Sequence, residues 1–249
     1  MFSYFYNSFI FNPLYNGLIF LMDILPWIDA GVAVVLFTII VRLILFPLSK
    51  KAIVTQVKMK ELEPELNRIK NTMKDDRQGQ ALKVMALYKE KKVSPFSSFF
   101  VLLLQLPIIY ALYSIFIHSG LPIVNTSLLY SFVDVPNVNM NFLGIIDIGP
   151  RSIILALIAA AAQYFQLHYS LASMSLPSST GNKSPSKLDS QMDMAQNMTR
   201  NMKYIFPIIV FLISYNISAV VALYWAVSSL FTLGQEIVVR RHIKKHQPL

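Results

Sequence analysis

The run YIFPIIVFLISYNISAVVALYWAVSSLFTLGQEIVV, from Tyr204 to Val239, decides how this chain folds. A helix rises about 1.5 Å per residue, so the run would reach roughly 54 Å, far beyond a hydrocarbon core of ~30 Å. Length therefore excludes a single span. Tyr215-Asn216-Ile217-Ser218 in its middle reads as a tight turn. It divides the run into a short helix over 204–215, carrying Pro207, and a longer helix over 217–239. Three further apolar stretches of spanning length lie at 30–48, 97–117 and 151–171, which gives five transmembrane helices.

Composition agrees with a membrane protein. Of 249 residues, 55% are hydrophobic and only 14% charged, against about 25% charged in soluble domains. The formal net charge is nevertheless +9, and the placement of the cations tests the span count. The segment 49–96 holds Lys50, Lys51, Lys58, Lys60, Arg68, Lys70, Lys74, Arg77, Lys83, Lys89, Lys91 and Lys92. The segment 172–203 holds Lys183, Lys187, Arg200 and Lys203, and the tail 240–249 holds Arg240, Arg241, Lys244 and Lys245. Segments 1–29 and 118–150 contain no Lys or Arg. Five spans put every cation-rich segment on one side. The positive-inside rule then predicts an N-terminus outside and a C-terminus in the cytoplasm, with 118–150 as an outer loop. A single span over 204–239 would instead separate Arg200 and Lys203 from Arg240 and Arg241.

Residues 1–29 precede the first span. Asn12, Asn16 and Asp23 share one side of a helix over 12–25, while Leu14, Leu18, Leu21 and Leu25 lie largely on the other. That pattern predicts a helix lying in the outer interface, with an additional span as the alternative. In 49–96, Val54, Val57, Leu62, Leu66, Ile69 and Met73 recur at helical spacing. Lys74-Asp75-Asp76 reads as a turn, and a second helix restarts at Gln78 and runs to Lys91. Two antiparallel helices would thus form a basic hairpin in the cytoplasm. The stretch 172–190 is rich in Ser and Pro and reads as loop. The fold expected is an all-α integral membrane protein: a five-helix transmembrane core, a cytoplasmic helical hairpin and an N-terminal interfacial helix.

Arg42 is the most informative residue, because it lies inside the first span. An intramembrane Arg is a functional-site hypothesis by default. It stands eight residues, about 12 Å of helix, from Lys50, so reaching headgroups by snorkelling would require a locally thinned bilayer. The central parts of the other spans offer no acid, and Glu236 pairs more readily with Arg240 four residues on. An unpaired Arg at this depth implies a hydrated cavity. Thr38 sits one turn away on the same face. Gln105, the pair Gln163 and Gln166, and Ser228, Ser229 and Gln235 could line the cavity or simply join helices to one another.

Enzymatic readings find no support. The chain contains no Cys, which excludes disulfides, thiolate metal sites, a cysteine nucleophile and a lipidated cysteine. There is no P-loop or dinucleotide motif. His118, His168, His242 and His246 lack metal-ligand spacing. His118 with Ser119 or Ser114 has no nucleophile elbow around it. No enzyme activity, metal or cofactor is expected. The start, MFSYFYNSFIF, has no basic leader and no cleavage site, so retained first residues are expected.

The chain resembles the YidC/Oxa/Alb membrane protein insertases. The resemblance runs through Thr38-Ile39-Ile40-Val41-Arg42-Leu43, Phe46-Pro47-Leu48, Leu62-Glu63-Pro64-Glu65-Leu66 and Leu87-Tyr88-Lys89-Glu90. It continues in Gln105-Leu106-Pro107-Ile108, Ala111-Leu112-Tyr113, Met202-Lys203-Tyr204-Ile205-Phe206-Pro207 and Ala222-Leu223-Tyr224-Trp225. Where the family has Asn-Asn after the Trp, this chain has Ser228-Ser229.

The resemblance implies five helices around a hydrophilic groove open to cytoplasm and lipid. In it Arg42 would attract polar or acidic client segments, and Thr38 and Trp225 match substrate-contact positions. The hairpin would receive nascent membrane-protein clients, and the basic tail resembles ribosome-contacting tails. Some members also work beside the Sec translocon. Anionic lipids are further expected partners, and no specific nucleic-acid sequence is. The expected location is the plasma membrane of a bacterium. A small anion transporter using Arg42, or a ribosome or lipid tether built on the hairpin, are the alternatives. A transporter would show repeated halves, and no internal repeat is found.

Overall fold

The computed structural model describes residues 2–73, 76–94, 97–118, 121–172 and 187–246. The chain is mostly helical. It begins with α1 (Phe2–Tyr6), a π-helical turn (Asn7–Phe11), α2 (Asn12–Ile24) and α3 (Ala30–Ile44). Helices α4 (Phe46–Glu61), α5 (Glu63–Thr72), α6 (Arg77–Glu90) and α7 (Ser97–Tyr113) follow. After the loop come α8 (Ile153–Ala172), α9 (Lys187–Ile217) and α10 (Ala219–His246). Among the described residues two helices, within Ile153–Leu171 and Ala219–Lys245, are long and apolar enough to cross a membrane, and α3 with α4 reaches that length only if the bent pair is counted as one span.

Four helix boundaries differ from the sequence expectation, the last being α10, which runs to His246 where the sequence predicts an end at 239. The helix expected over 30–48 ends at Ile44, and α4 leaves at 62°. Pro47 stands in the first turn of α4, where its missing N–H costs nothing but where it cannot continue the preceding helix. The helix expected across 54–73 breaks at Leu62 for the same reason, with Pro64 opening α5. The loop expected over 172–203 is helical from Lys187, and α9 is 31 residues long. Residues 187–203 contain no Gly or Pro and include four Met, two Gln, two Lys, one Leu, one Ala and one Arg, so helix propensity prevails there. The turn at Lys74-Asp75 and most of the Ser/Pro-rich stretch lie outside the described residues. By contrast, the break read at 215–218 falls at Ser218, between α9 and α10.

The pair α5 and α6 has its own small core of Leu62, Leu66, Leu87 and Val93, flanked by Met59, Ile69, Val84 and Tyr88. Asp76 caps α6 by accepting from the Gly79 amide at 2.9 Å.

The main core gathers α2, α3, α7, α8 and the first eight residues of α10. Tyr15, Leu18, Val34, Leu112, Ile115 and Val220 are fully buried in it. The residues between α7 and α8 close this end. They carry a two-stranded antiparallel ladder, β1 (Asn141–Phe142) with β2 (Ile146–Asp147), pairing Asn141 with Asp147. The amides opening α10 find partners there: Ala219 donates to Pro150 O at 2.9 Å and Val220 to Ile148 O at 3.1 Å.

Asn16 departs from the exposed polar side expected of α2. It is buried, accepting from the Tyr130 amide at 2.6 Å and donating to Leu128 O at 2.9 Å. Tyr15 OH accepts from the Asn125 amide at 2.8 Å. A buried Asn is tolerable because loop backbone satisfies its amide. The loop is thereby fastened to α2 as well as to α10.

Candidate functional site

Helix α10 organises the polar residues of the bundle. It packs on α3, α4, α7, α8 and α9, and its helical period sorts side chains toward different neighbours. Tyr224 and Ser228, four residues apart, face α3 and α7. Trp225 and Ser229, one position on, face α8. Gln235, Glu236 and Arg240 lie further along, against α4 and α8.

The first layer surrounds Arg42, on the last turn of α3. Its Nε donates to Ser228 Oγ at 2.9 Å, and its Nη2 donates both to Gln105 Oε1 at 2.7 Å and to Ser228 Oγ. Gln105 in turn donates from Nε2 to Tyr224 OH at 2.6 Å. Every acceptor is neutral. Among the described residues no carboxylate pairs with Arg42 and none of these bonds uses its Nη1, so the layer keeps a full positive charge and spare donors. Such a centre favours a carboxylate or another acceptor-rich polar group, since charge-assisted bonds are worth about 1.5–3 kcal/mol each.

The second layer lies on the α8 side. Gln163 Oε1 accepts from Trp225 Nε1 at 2.8 Å and from Ser229 Oγ at 3.0 Å. Gln163 Nε2 donates to Gln166 Oε1 at 2.7 Å. Trp225 is buried, its ring edge-on to Phe206 with centroids 6.4 Å apart.

The third layer fastens α4. Gln235 Nε2 donates to Ser49 Oγ at 2.7 Å, just beyond the bend between α3 and α4. Arg240 pairs with Glu236 at 2.5 Å, both buried, and reaches Gln56 of α4 at 3.5 Å. Ser170 of α8 hydrogen-bonds Glu236. The i,i+4 spacing had pointed to this pair.

Arg42, Gln105 and Ser228 are therefore brought together. Gln163, Gln166 and Trp225 are brought together as well, but in a separate network. Thr38 joins neither: it is buried, and its hydroxyl donates to Val34 O of its own helix at 2.6 Å. Sequence reasoning missed Tyr224 as a member of the Arg42 layer. The signal was its spacing of four from Ser228, hidden by the more conspicuous Trp225 beside it.

Comparison with known proteins bears on what such layers serve. The family model described as 60Kd inner membrane protein matches residues 21–246. The chain is similar to a membrane protein insertase YidC of Clostridium tetani, 29% identical over 243 residues, which covers 97% of this chain and 90% of that protein. A membrane protein insertase YidC of Fusobacterium nucleatum is 30% identical over 236 residues, covering 94% of this chain and 98% of its own. A third, from Tolumonas auensis, is 42% identical over 111 residues, 45% of this chain and 20% of that protein.

Proposed function

The chain belongs to the 60Kd inner membrane protein family, that of the YidC insertases, and from that premise we propose that it inserts nascent membrane proteins into a bacterial plasma membrane. In this reading α3, α7, α8, the second half of α9 and α10 are the five spans. The end carrying the loop between α7 and α8 faces outward, and the end carrying Arg240 faces the cytoplasm. The basic pair α5 and α6 receives clients, and the tail, through its exposed Arg241, Lys244 and Lys245 rather than the buried Arg240, meets the ribosome or anionic lipid. The Sec translocon is a further partner for some clients.

The observation that carries this reading is Arg42 held by Gln105 and Ser228 rather than by an acid. Moving a polar segment across hydrocarbon is opposed by the loss of its water. A hydrated groove that reaches partway from the cytoplasm shortens the dry path, and Arg42 attracts acidic segments into it. The remaining passage is driven by partition of the client's apolar span into lipid. Arg42, Gln105 and Ser228 meet the client first. Thr38, Gln163, Gln166 and Trp225 shape the wall behind them.

The test is insertion into proteoliposomes of a single-span client with either an acidic or a neutral leading segment, scored by protease protection. Arg42→Ala should slow the acidic client roughly tenfold to a hundredfold, the equivalent of one charge-assisted bond of ~1.5–3 kcal/mol, and spare the neutral one. Arg42→Lys should retain most of the rate. Equal rates for Arg42→Ala and the parent on the acidic client would remove Arg42 from the mechanism.

A further inference from the structure

The α2–α3 turn and the loop packed against it carry large exposed apolar side chains where a water-facing surface would carry polar ones. Trp27 is 77% exposed, Leu143 62% and Ile145 80%. They stand on one rigid unit. Asp29 Oδ1 accepts from the Val32 amide at 2.8 Å, capping α3, while its Oδ2 accepts from the Leu143 amide at 2.9 Å. The Ala30 amide donates to Asn139 O at 2.8 Å. The tip of the β1–β2 hairpin is thus held against the start of α3, two residues after Trp27.

The turn itself sharpens the point. Leu143 adopts φ 52° and Gly144 φ 68°. Left-handed backbone suits Gly or Asn, and a Leu there is disfavoured. Both the backbone and contact with water argue against Leu at this position, so its side chain has a use that offsets them.

We propose that Trp27, Leu143 and Ile145 form a collar seated in the headgroup–acyl boundary of the lipid leaflet at this end of the molecule. Lipid is favoured over other occupants by continuity. The collar leads directly into α8, whose Ile153, Ile154, Leu157 and Ile158 are exposed on a helix long and apolar enough to span. Tyr130 and Phe132 extend the surface, with ring centroids 5.6 Å apart, and Phe132 meets Phe20 at 6.0 Å. Trp, Tyr and Phe beside aliphatic residues are the composition of a membrane interface. Segment 118–150 has no Lys or Arg, and Arg151 at the foot of α8 is the one cation beside it, so the attachment rests on apolar burial and needs no anionic lipid.

Because the chain has no Cys, single substitutions Trp27→Cys, Leu143→Cys and Ile145→Cys can each carry an environment-sensitive fluorophore, with the exposed Asp134→Cys as the aqueous reference. In phosphatidylcholine vesicles, lipids bearing a quencher near the headgroup should cut emission from the three collar labels roughly twofold, as for groups seated about 5–10 Å into the boundary. Aqueous iodide should quench only the reference, and the pattern should persist at high salt and at low protein density. Collar labels open to iodide and untouched by the lipid quencher would overturn the proposal. So would protection that rises with protein density, which would mark a second copy as the occupant.

Discussion

Helix α10 passes through two kinds of surroundings in its 28 residues. Its first eight residues, Ala219 to Ala226, are all buried in the apolar core, with only Tyr224 and Trp225, at its inner edge, bonded to Gln105 and Gln163, and its opening amides are closed by loop carbonyls. From Ser228 onward Ser, Gln, Glu and Arg side chains bond across to α3, α4 and α8. Helix α3 changes in parallel, from Ala33, Val34 and Phe37 in the core to Arg42 in a polar layer. One end of the bundle is sealed by packing, and the other is held by directional bonds. Packing resists water without specifying a partner. A polar layer with an unneutralised cation can exchange its bonds for those of an incoming polar chain.

The largest expected effect comes from the bonded end. Glu236→Ala leaves Arg240 buried without its acid, which should cost about 3–5 kcal/mol of stability, read from thermal unfolding in detergent. Replacing both residues with Met should recover much of that loss, since an apolar pair of similar volume removes the uncompensated charge. If Glu236→Ala were neutral, the bonded end would owe its order to packing after all, and the contrast between the two ends would collapse.

At the sealed end the counterpart is Ile148, fully buried beneath the start of α10. Ile148→Ala should cost about 2–4 kcal/mol through the cavity it leaves. It should also speed hydrogen exchange at Val220, whose amide rests on the Ile148 carbonyl. Ile148→Leu should be nearly silent, because packing tolerates a conserved volume. A large penalty for Leu would mean that shape, rather than sealing, is what this end requires.

These two ends were not equally legible in the sequence. Apolar length and the Ser218 break are one-dimensional properties, so the helices and the turn between α9 and α10 could be read directly. The Glu236–Arg240 pair follows from i,i+4 spacing within one helix. Which polar residue meets which across helices depends on rotation and crossing angle, and spacing is silent on both. That is why Gln163 and Trp225 fell into one list with Arg42 yet form a separate network. Asn16 shows the same limit: its polarity suggested a solvent-facing side, while its partners lie more than a hundred residues away in the loop. The breaks before Pro47 and Pro64 were written locally, but the apolar pattern ran across them.

Two glycines give the smallest and cleanest version of the comparison. A Cβ added to Gly31, at the start of α3, would run into the Phe142 side chain, its Cβ and Cγ each 2.7 Å away. Phe142 belongs to the short β ladder and cannot swing clear without loosening the tip that Asp29 holds. Gly31→Ala should therefore cost about 1–3 kcal/mol, the usual price of overpacking. Gly234 sits in the bonded half of α10 with nothing within 4 Å of an added Cβ. There the substitution meets no neighbour and only removes backbone freedom from the unfolded chain, so Gly234→Ala should stabilise by about 0.5–1 kcal/mol. Opposite signs for one chemical change, measured by the same unfolding assay, locate the close packing at the loop end. Matching signs would mean that the space beside Gly234 is filled in the membrane by something that also resists a methyl group.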